Sequence, residues 1–263
     1  MTLFETVRAA HAARSTIVVV GGERLRVRIY GRRGAPPIVL VPGLGMSSLY
    51  LMPTAVQLAD RFEVWSPELP GSGGSDRPER ALDIPELADA LAGFLATVGL
   101  GPVPLLANSL GCQVLVDLAA RHPERVACLV LVGPTFDPRK RSPADQAGRL
   151  LLDGLRENPS LVPVAMFDYL RTGVRRFWQT FEYALADPVH EKLPEVRQPV
   201  LVVRGGRDPI VSQRWAEEVV RLLPRGELAV IPRAPHGANY SSARELARVV
   251  RPFVLEHGSV LSP

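Results

Sequence analysis

Hydrophobic residues alternate along this chain between two patterns. Short apolar runs such as Val39-Leu40-Val41 and Leu129-Val130-Leu131-Val132 are typical of strands that are buried on both faces. Longer stretches with apolar residues at every third or fourth position separate these runs and predict helices. The alternation indicates an α/β fold with a mostly parallel sheet and right-handed crossovers. The predicted strands lie at about residues 16–20, 24–30, 37–41, 62–66, 102–107, 126–132, 199–204 and 227–231, and the predicted helices at about 47–60, 84–98, 110–121, 212–223 and 241–257.

The alternation is interrupted between Gly133 and Gln198. This segment is too long for one crossover, and its pattern predicts helices at about 145–156, 161–172 and 174–185, separated by prolines. We therefore expect residues 134–197 to form a helical insertion, and residues 1–133 and 198–263 to form the sheet domain. A length of 263 residues is sufficient for one such domain with a large core.

One serine lies at the junction between a predicted strand and a predicted helix. The strand at 102–107 is followed by Asn108-Ser109, and the helical pattern starts at about Gly111. A serine in this place, flanked by small residues, is typical of a nucleophile elbow, a tight turn that holds the hydroxyl out of the sheet. The usual pattern is Gly-x-Ser-x-Gly, and Ala107 occupies its first position here. Ser109 is therefore the candidate nucleophile.

Two further polar residues follow predicted strands in the C-terminal third of the chain. Asp208 lies just after the strand at 199–204, and His236 lies in the loop after the strand at 227–231. A serine hydroxyl needs a base near neutral pH, and a histidine oriented by a carboxylate can supply one. The chain order Ser, Asp, His is that of α/β-hydrolases and differs from the orders in chymotrypsin and subtilisin.

Nearly the whole chain resembles the α/β-hydrolase superfamily. Besides the elbow, Val39–Gly45 resembles the oxyanion loop after the third strand, and Gly205–Val211 resembles the acid loop. Pro67–Pro78 resembles the loop after the fourth strand, and Arg121–Val126 resembles the turn after the elbow helix. The chain departs from the usual pattern at the oxyanion loop, where Pro42-Gly43 replaces the common His-Gly, and at the first elbow position. Neither change removes a catalytic group, because the oxyanion donors are main-chain amides.

The resemblance implies a doubly wound, eight-stranded α/β-hydrolase fold with a helical cap at 134–197, inserted after the sixth strand. It also implies that Ser109 is the nucleophile, that His236 is the base and that Asp208 is the acid. Some relatives keep the acid after the sixth strand, where this chain has Asp137. A serine at the elbow excludes the dehalogenase and epoxide hydrolase branches, which use an aspartate there.

The resemblance also implies an oxyanion hole and a covered pocket. The donors would be the N–H groups of Leu110, at the start of the elbow helix, and of Leu44, with Gly43 as an alternative to Leu44. Because the insertion is rich in aromatic side chains, we expect an apolar substrate pocket. The residues expected to line it are Gly43, Met46, Phe136, Met166, Phe167 and Trp178.

The charge distribution does not indicate a nucleic-acid partner. The formal net charge is +4, and all the basic side chains are arginines except Lys140 and Lys192. They are dispersed, and no arginine-rich run is interleaved with aromatic residues. The tightest cluster, Arg139-Lys140-Arg141, is interpreted as a solvated loop.

Targeting, membrane and cofactor signals are absent from the pattern. Residues 1–13 predict a short amphipathic helix with charges where the apolar core of a signal peptide would lie, and no window approaches the ~18 to 20 apolar residues of a membrane span. Cys112 and Cys128 form no disulfide framework, so a cytoplasmic location is expected.

The five histidines lack metal-ligand spacing, and Gly71-Ser72-Gly73-Gly74 lacks the ending of a phosphate loop. We therefore expect no metal, no cofactor, no membrane partner, and a monomer or homodimer.

Three classes of function fit these residues. The favoured class is hydrolysis of a small-molecule carboxylic ester or lactone with an apolar acyl or alcohol part. The second is hydrolytic C–C cleavage of a ring-fission product, a vinylogous diketone acid, because Asn108-Ser109 and Gly133-Pro134 resemble that subfamily. Against it, the fuller glycine-rich oxyanion loop is missing, and Gly237 replaces the aromatic residue that usually follows the histidine. The third is a ligand-binding protein that keeps the triad but turns over slowly.

Overall fold

The strands of the protein follow the predicted apolar runs. The computed structural model describes residues 13–139 and 142–258, so the helix predicted at 1–13 lies almost wholly outside the described residues, as does most of the Arg139-Lys140-Arg141 cluster. The strands are β1 (Arg14–Val20), β2 (Glu23–Tyr30), β3 (Pro37–Val41), β4 (Glu63–Pro67), β5 (Val103–Asn108), β6 (Val126–Val132), β7 (Val200–Gly205) and β8 (Gly226–Ile231).

All eight strands belong to one sheet, in the order β1-β2-β4-β3-β5-β6-β7-β8. β2 pairs antiparallel with β1 and with β4, and the remaining pairs are parallel. In one row across the sheet, Leu40 lies beside Leu106, Leu106 beside Val130, and Val130 beside Leu201. All four side chains are buried, because helices cover both faces. The predicted eight-stranded α/β fold is confirmed.

Ten helices pack around the sheet in the described residues. Two of the predicted helices are broken near their first turn, and the short helix Val189–Lys192 is not among the predicted ones. The helix predicted at 47–60 starts as a 3-10 turn, Ser48–Leu51, and becomes α-helical only near Pro53, which favours the first turn of a helix. The helix predicted at 241–257 is preceded by a separate short helix, because the backbone leaves the helical region at Ser242. The helices are α1 (Met52–Leu58), α2 (Ile84–Thr97), α3 (Leu110–Arg121), α4 (Pro143–Gly154), α5 (Leu161–Thr172), α6 (Val174–Ala186), α7 (Val189–Lys192), α8 (Gln213–Leu222), α9 (Ala238–Ser241) and α10 (Ala243–His257).

Helices α4 to α7 lie between β6 and β7, and residues 142–197 are called the helical insertion below. The insertion is tied to loops at the carboxyl ends of the parallel strands. Asp168 accepts a hydrogen bond from the main-chain N–H of Ser47 at 2.8 Å, and the Thr172 hydroxyl donates to the Gly45 carbonyl at 3.0 Å. The insertion therefore stands over the edge of the sheet where β3 and β5 end. Among the described helices, none combines the length and apolar character that crossing a bilayer requires.

Candidate active site

Ser109 occupies the sharp turn between β5 and α3. Its backbone has φ 56° and ψ −124°, and it is the only described residue other than glycine with positive φ. Such a conformation is unfavourable for a side chain larger than hydrogen and is found where a function requires it. The Ser109 N–H donates to the Val132 carbonyl at 2.9 Å, which fastens the turn to the end of β6.

Small residues around the turn are required by close backbone packing. A Cβ on Gly111 would lie 2.6 Å from the Pro42 carbonyl oxygen and 3.1 Å from the Cβ of Ala107. A Cβ on Gly43 would lie 3.2 Å from the Cβ of Ser109. Ala107 itself fits without exposure, so the missing elbow glycine leaves the turn intact.

Asp208 and His236 form a buried hydrogen-bonded pair. Asp208 follows β7 and His236 follows β8, and the Asp208 Oδ2 atom lies 2.8 Å from Nδ1 of the imidazole. The other carboxylate oxygen accepts the main-chain N–H groups of Ile210 at 2.7 Å and Val211 at 2.9 Å. Asp137 instead accepts from the Arg139 N–H and guanidinium. The structure therefore pairs the histidine with Asp208 and not with Asp137.

The surroundings of His236 favour the imidazolium ion. Burial lowers the pKa of the imidazole, whereas the charge of Asp208 and its hydrogen bond raise it. The carboxyl groups of Asp153 and Glu157 act in the same direction as Asp208. Together these groups raise the pKa of His236 above its ordinary value.

Ser109 and His236 line the same cavity. The Nε2 atom of His236 is buried and has no hydrogen-bond partner in the described part of the chain, so the serine hydroxyl is not bonded to it. Hydrogen bonds of this kind are often long before substrate binds. Proton transfer from Ser109 requires the hydroxyl to come within about 3 Å of Nε2 in the complex.

The two predicted oxyanion donors, Leu44 and Leu110, line the same cavity as Ser109. Leu110 is the first residue of α3, where N–H groups have no acceptor within the helix. Leu44 lies in the loop after β3 and also lines the cavity, as does Gly43. Within residues 13–139 and 142–258, no hydrogen bond engages the N–H of Leu44 or of Leu110. Both residues thus border the cavity with an amide that no described hydrogen bond engages, and their role as oxyanion donors stays a prediction.

The cavity beneath the helical insertion has a volume of about 270 Å³. Four of the six predicted lining residues border it: Gly43, Met46, Phe136 and Trp178. Met166 and Phe167 do not. Both lie on the outer face of α5 and are more than half exposed, because this helix turns other positions inward. The residues of α5 that face the cavity are Leu161, Val162, Ala165 and Tyr169.

The wall of the cavity is mainly apolar. Phe136 packs edge-on against Phe181 at 5.7 Å between ring centres, and Tyr169 packs edge-on against Phe177 at 5.1 Å. All four line the cavity. Such rings offer a large contact area to an apolar ligand.

The sequence pattern did not reveal three polar residues of the site. Asn108 donates to the Val132 and His236 carbonyls, both at 3.2 Å, and accepts from the Tyr50 hydroxyl at 3.1 Å. Asp153 and Glu157 contact the His236 loop from the helical insertion. The position of Asn108 beside Ser109 was the one available signal, whereas the carboxyl groups reach the site only through the packing of the insertion. Across the described ranges, no group of three His, Cys, Asp or Glu side chains could hold a metal ion.

Comparison with known proteins agrees with this geometry. Residues 38–249 match the alpha/beta hydrolase family. The chain belongs to this family. Its solved structural neighbours share the fold, among them the enol-lactonase of Burkholderia xenovorans, with a TM-score of 0.76 over 91% of this chain and 100% of that one at 22% identity.

Two curated hydrolases are similar over almost their full length. A 2-hydroxy-6-oxononadienedioate/2-hydroxy-6-oxononatrienedioate hydrolase of Paraburkholderia phymatum is 30% identical over 95% of this chain and 99% of its own. A 2-(acetamidomethylene)succinate hydrolase of Mesorhizobium japonicum is 26% identical over 90% of this chain and 94% of its own. The relatives thus include hydrolases that are named for different substrates.

Proposed function

We propose that this protein is a serine hydrolase that cleaves a carboxylic ester or lactone with an apolar acyl or alcohol part. The observation that carries the proposal is the buried Asp208–His236 hydrogen bond beside Ser109, at the wall of a largely apolar cavity. A carboxylate on Nδ1 leaves Nε2 free to accept a proton, as a base for serine requires.

In the proposed reaction, Nε2 of His236 takes the Ser109 proton while Oγ forms a bond to the carbonyl carbon. The carbonyl electron pair moves to oxygen, where the N–H groups of Leu44 and Leu110 stabilise the charge. Collapse expels the alcohol, which takes the proton from the imidazolium and leaves an acyl-serine. Water then attacks this ester by the same steps and releases the acid and free Ser109. Asp208 stabilises the imidazolium and fixes its tautomer.

The charge of the cavity favours a neutral substrate. Its described lining contains no arginine or lysine, whereas Asp153 and Glu157 both border it. A substrate with two carboxylates would enter beside these groups with His236 as the only basic side chain of the described lining, at an electrostatic cost. The names of the two curated relatives above describe dicarboxylates, so this lining separates the proposed substrate class from theirs.

Hydrolytic C–C cleavage is the second candidate. It is supported by the 30% identity to the oxononadienedioate hydrolase and by the turn at Gly133-Pro134, which lies against the imidazole. The same serine, histidine and oxyanion donors would serve that reaction. The lack of arginine and lysine in the described lining places it below ester cleavage.

A fluorophosphonate probe and a panel of substrates test the proposal. The probe should add one label to the wild type and to Ser15→Ala, a variant of an exposed serine, but none to Ser109→Ala. Turnover of p-nitrophenyl esters should rise from acetyl to hexanoyl, because an additional methylene that fits an apolar pocket contributes roughly 1 to 3 kcal/mol. Faster cleavage of a ring-fission diketone than of any ester would favour the second candidate. Labelling of Ser109→Ala would overturn the serine mechanism, and labelling with negligible turnover of every substrate would indicate a ligand-binding protein.

A further inference from the structure

Two carboxyl groups of the helical insertion hold the main chain on either side of the His236 side chain. Asp153, in the last turn of α4, accepts the His236 N–H at 2.9 Å. Glu157, in the turn that follows α4, accepts the Gly237 N–H at 2.6 Å and also the Ser241 hydroxyl. The main-chain N–H groups of His236 and Gly237 thus both donate to carboxylates of the insertion.

The main chain of His236 is also held by the turn between β5 and α3. The carbonyl oxygen of His236 accepts the Asn108 side chain. The N–H of His236 is therefore fixed by the insertion, and its C=O is fixed by the residue next to Ser109. An imidazole between two such anchors has little freedom to move relative to the serine.

The placement of these carboxyl groups is costly for the fold. Burial raises the pKa of Asp153, and burial together with the charge of Asp153 raises that of Glu157 to about 7. A negative charge at the C-terminal end of α4 also opposes the helix dipole. Neutral acceptors at both positions would give a more stable fold. The presence of two carboxyl groups therefore indicates a role beyond packing.

We propose that Asp153 and Glu157 are positioning residues through which the helical insertion sets the place of His236 relative to Ser109. This inference rests on the proposed role of His236 as the base. It means that the insertion contributes to the proton transfer, in addition to covering the cavity.

The pair also contributes to the electrostatic environment of the imidazole. The ionisable groups that face His236 are Asp208 from the loop after β7 and Asp153 and Glu157 from the insertion. The Tyr50 hydroxyl lies close to Gly237, and burial raises the pKa of Tyr50 well above its ordinary value, so this group stays neutral. Each carboxylate favours the imidazolium, and removal of its charge should lower the pKa of His236.

Amide and alanine variants separate the hydrogen bond from the charge. Asp153→Asn and Glu157→Gln retain an oxygen that accepts the loop amide, whereas Asp153→Ala and Glu157→Ala do not. Asp145→Asn is the control, since Asp145 is an exposed carboxylate of the same helix, paired with Arg149 and outside the cavity lining. Urea unfolding establishes that each variant is folded at the assay temperature.

The primary measurement is an NMR titration of the His236 ring, assigned with the help of His236→Gln. We expect the His236 pKa to fall by about one pH unit in the Asn and Gln variants and to stay unchanged in Asp145→Asn. Unchanged chemical shifts and an unchanged pKa of the His236 ring in both alanine variants would overturn the proposal, whether or not the protein has esterase activity.

The kinetic measurement tests position. At high pH the alanine variants should have a kcat about tenfold or more below that of the matching amide variants, with a smaller difference in KM. Folded alanine variants with wild-type kcat and pH profile would show that the pair is only structural. If the wild type takes no fluorophosphonate label, the proposed function fails, and the NMR titration then decides this inference by itself.

Discussion

The side-chain amide of Asn108 donates a hydrogen bond to the main-chain carbonyl of His236 at 3.2 Å. Asn108 is the last residue of β5 and directly precedes Ser109, so this bond joins the strand-to-helix turn to the loop after β8. The Asn108 side chain is buried and is bonded through both its nitrogen and its oxygen. It thus sets the spacing between the candidate nucleophile and the candidate base.

Asn108→Ala should reduce both stability and activity. The change leaves the His236 carbonyl without its side-chain donor and the Tyr50 hydroxyl without this acceptor, at a cost of about 1 to 3 kcal/mol for each buried group. Urea unfolding should show this loss, and kcat should fall while fluorophosphonate labelling slows. Tyr50→Phe, which removes the hydroxyl but leaves the Asn108–His236 bond, should cost less activity than Asn108→Ala. Equal activity in Asn108→Ala and the wild type would contradict this account.

Gly133→Ala should lower activity more than Gly21→Ala does. Gly133 has φ 57°, and a Cβ there would lie 2.9 Å from Cε1 and Nδ1 of His236. Gly21 has the same φ of 57° but no atom within 4 Å of the added carbon, so Gly21→Ala reports the backbone strain alone. Both variants should lose about 1 to 2 kcal/mol of unfolding free energy. Only Gly133→Ala should lower kcat, by about 100-fold for a displacement near 1 Å.

Asp208→Asn should preserve folding and lower kcat by a factor on the order of 10⁴. An asparagine at this position no longer stabilises the imidazolium or the required tautomer. Asp137→Asn is the comparison, because Asp137 is paired with Arg139 and is not among the residues that line the cavity. Steady-state kinetics of both variants on one activated ester checks the assignment. A larger loss for Asp137→Asn would show that the acid lies after β6.

The acid side of the pH profile should lie above the usual range of histidine. The base acts only when neutral, and the pKa of His236 is raised because its carboxylate neighbours outweigh burial. Activity should therefore be lost as the pH falls through a single ionisation above about pH 6.5, the ordinary value of the imidazole. The measurement is kcat/KM as a function of pH, which reports the free enzyme. A limb at or below the ordinary value would mean that burial dominates.

Two aromatic residues of α5 offer a matched test of the pocket. Tyr169 lines the cavity and packs against Phe177, whereas Phe167 lies on the outer face of the helix. Tyr169→Ala should raise KM for hexanoyl esters more than for acetyl esters, since it removes apolar contact area. Phe167→Ala should leave both values near those of the wild type. A similar effect of the two variants would show that the helix faces the substrate differently in the complex.

The strand-to-helix turn could be predicted from sequence because its causes are local. The apolar run of β5, the small residues beside Ser109 and the start of α3 are adjacent in the chain, and each has few structural alternatives. Asp208 and His236 could be placed for the same reason, since each follows a buried strand. Parallel strands then bring their carboxyl ends to one edge of the sheet.

The parts that sequence did not predict depend on tertiary packing. The insertion was recognised as helical, but the rotation of α5 about its axis decides which side chains line the cavity. That rotation puts Tyr169 inward and Met166 and Phe167 outward, although all three are apolar or aromatic. Asp153 and Glu157 resemble ordinary polar residues of a helix end until the insertion is placed against the His236 loop.

The order of the site along the chain has a consequence for synthesis on the ribosome. Ser109 lies between β5 and α3, which emerge early, whereas β7 and β8 lie at one edge of the sheet and are the last of its strands to be translated. Domains fold as their chain becomes available, so the centre of the sheet can pair before its final edge strands exist. A nascent chain that ends within the insertion therefore carries the serine hydroxyl without Asp208 or His236. A serine hydroxyl that depends on His236 as its base would become reactive only after the loop that follows β8 has been synthesised.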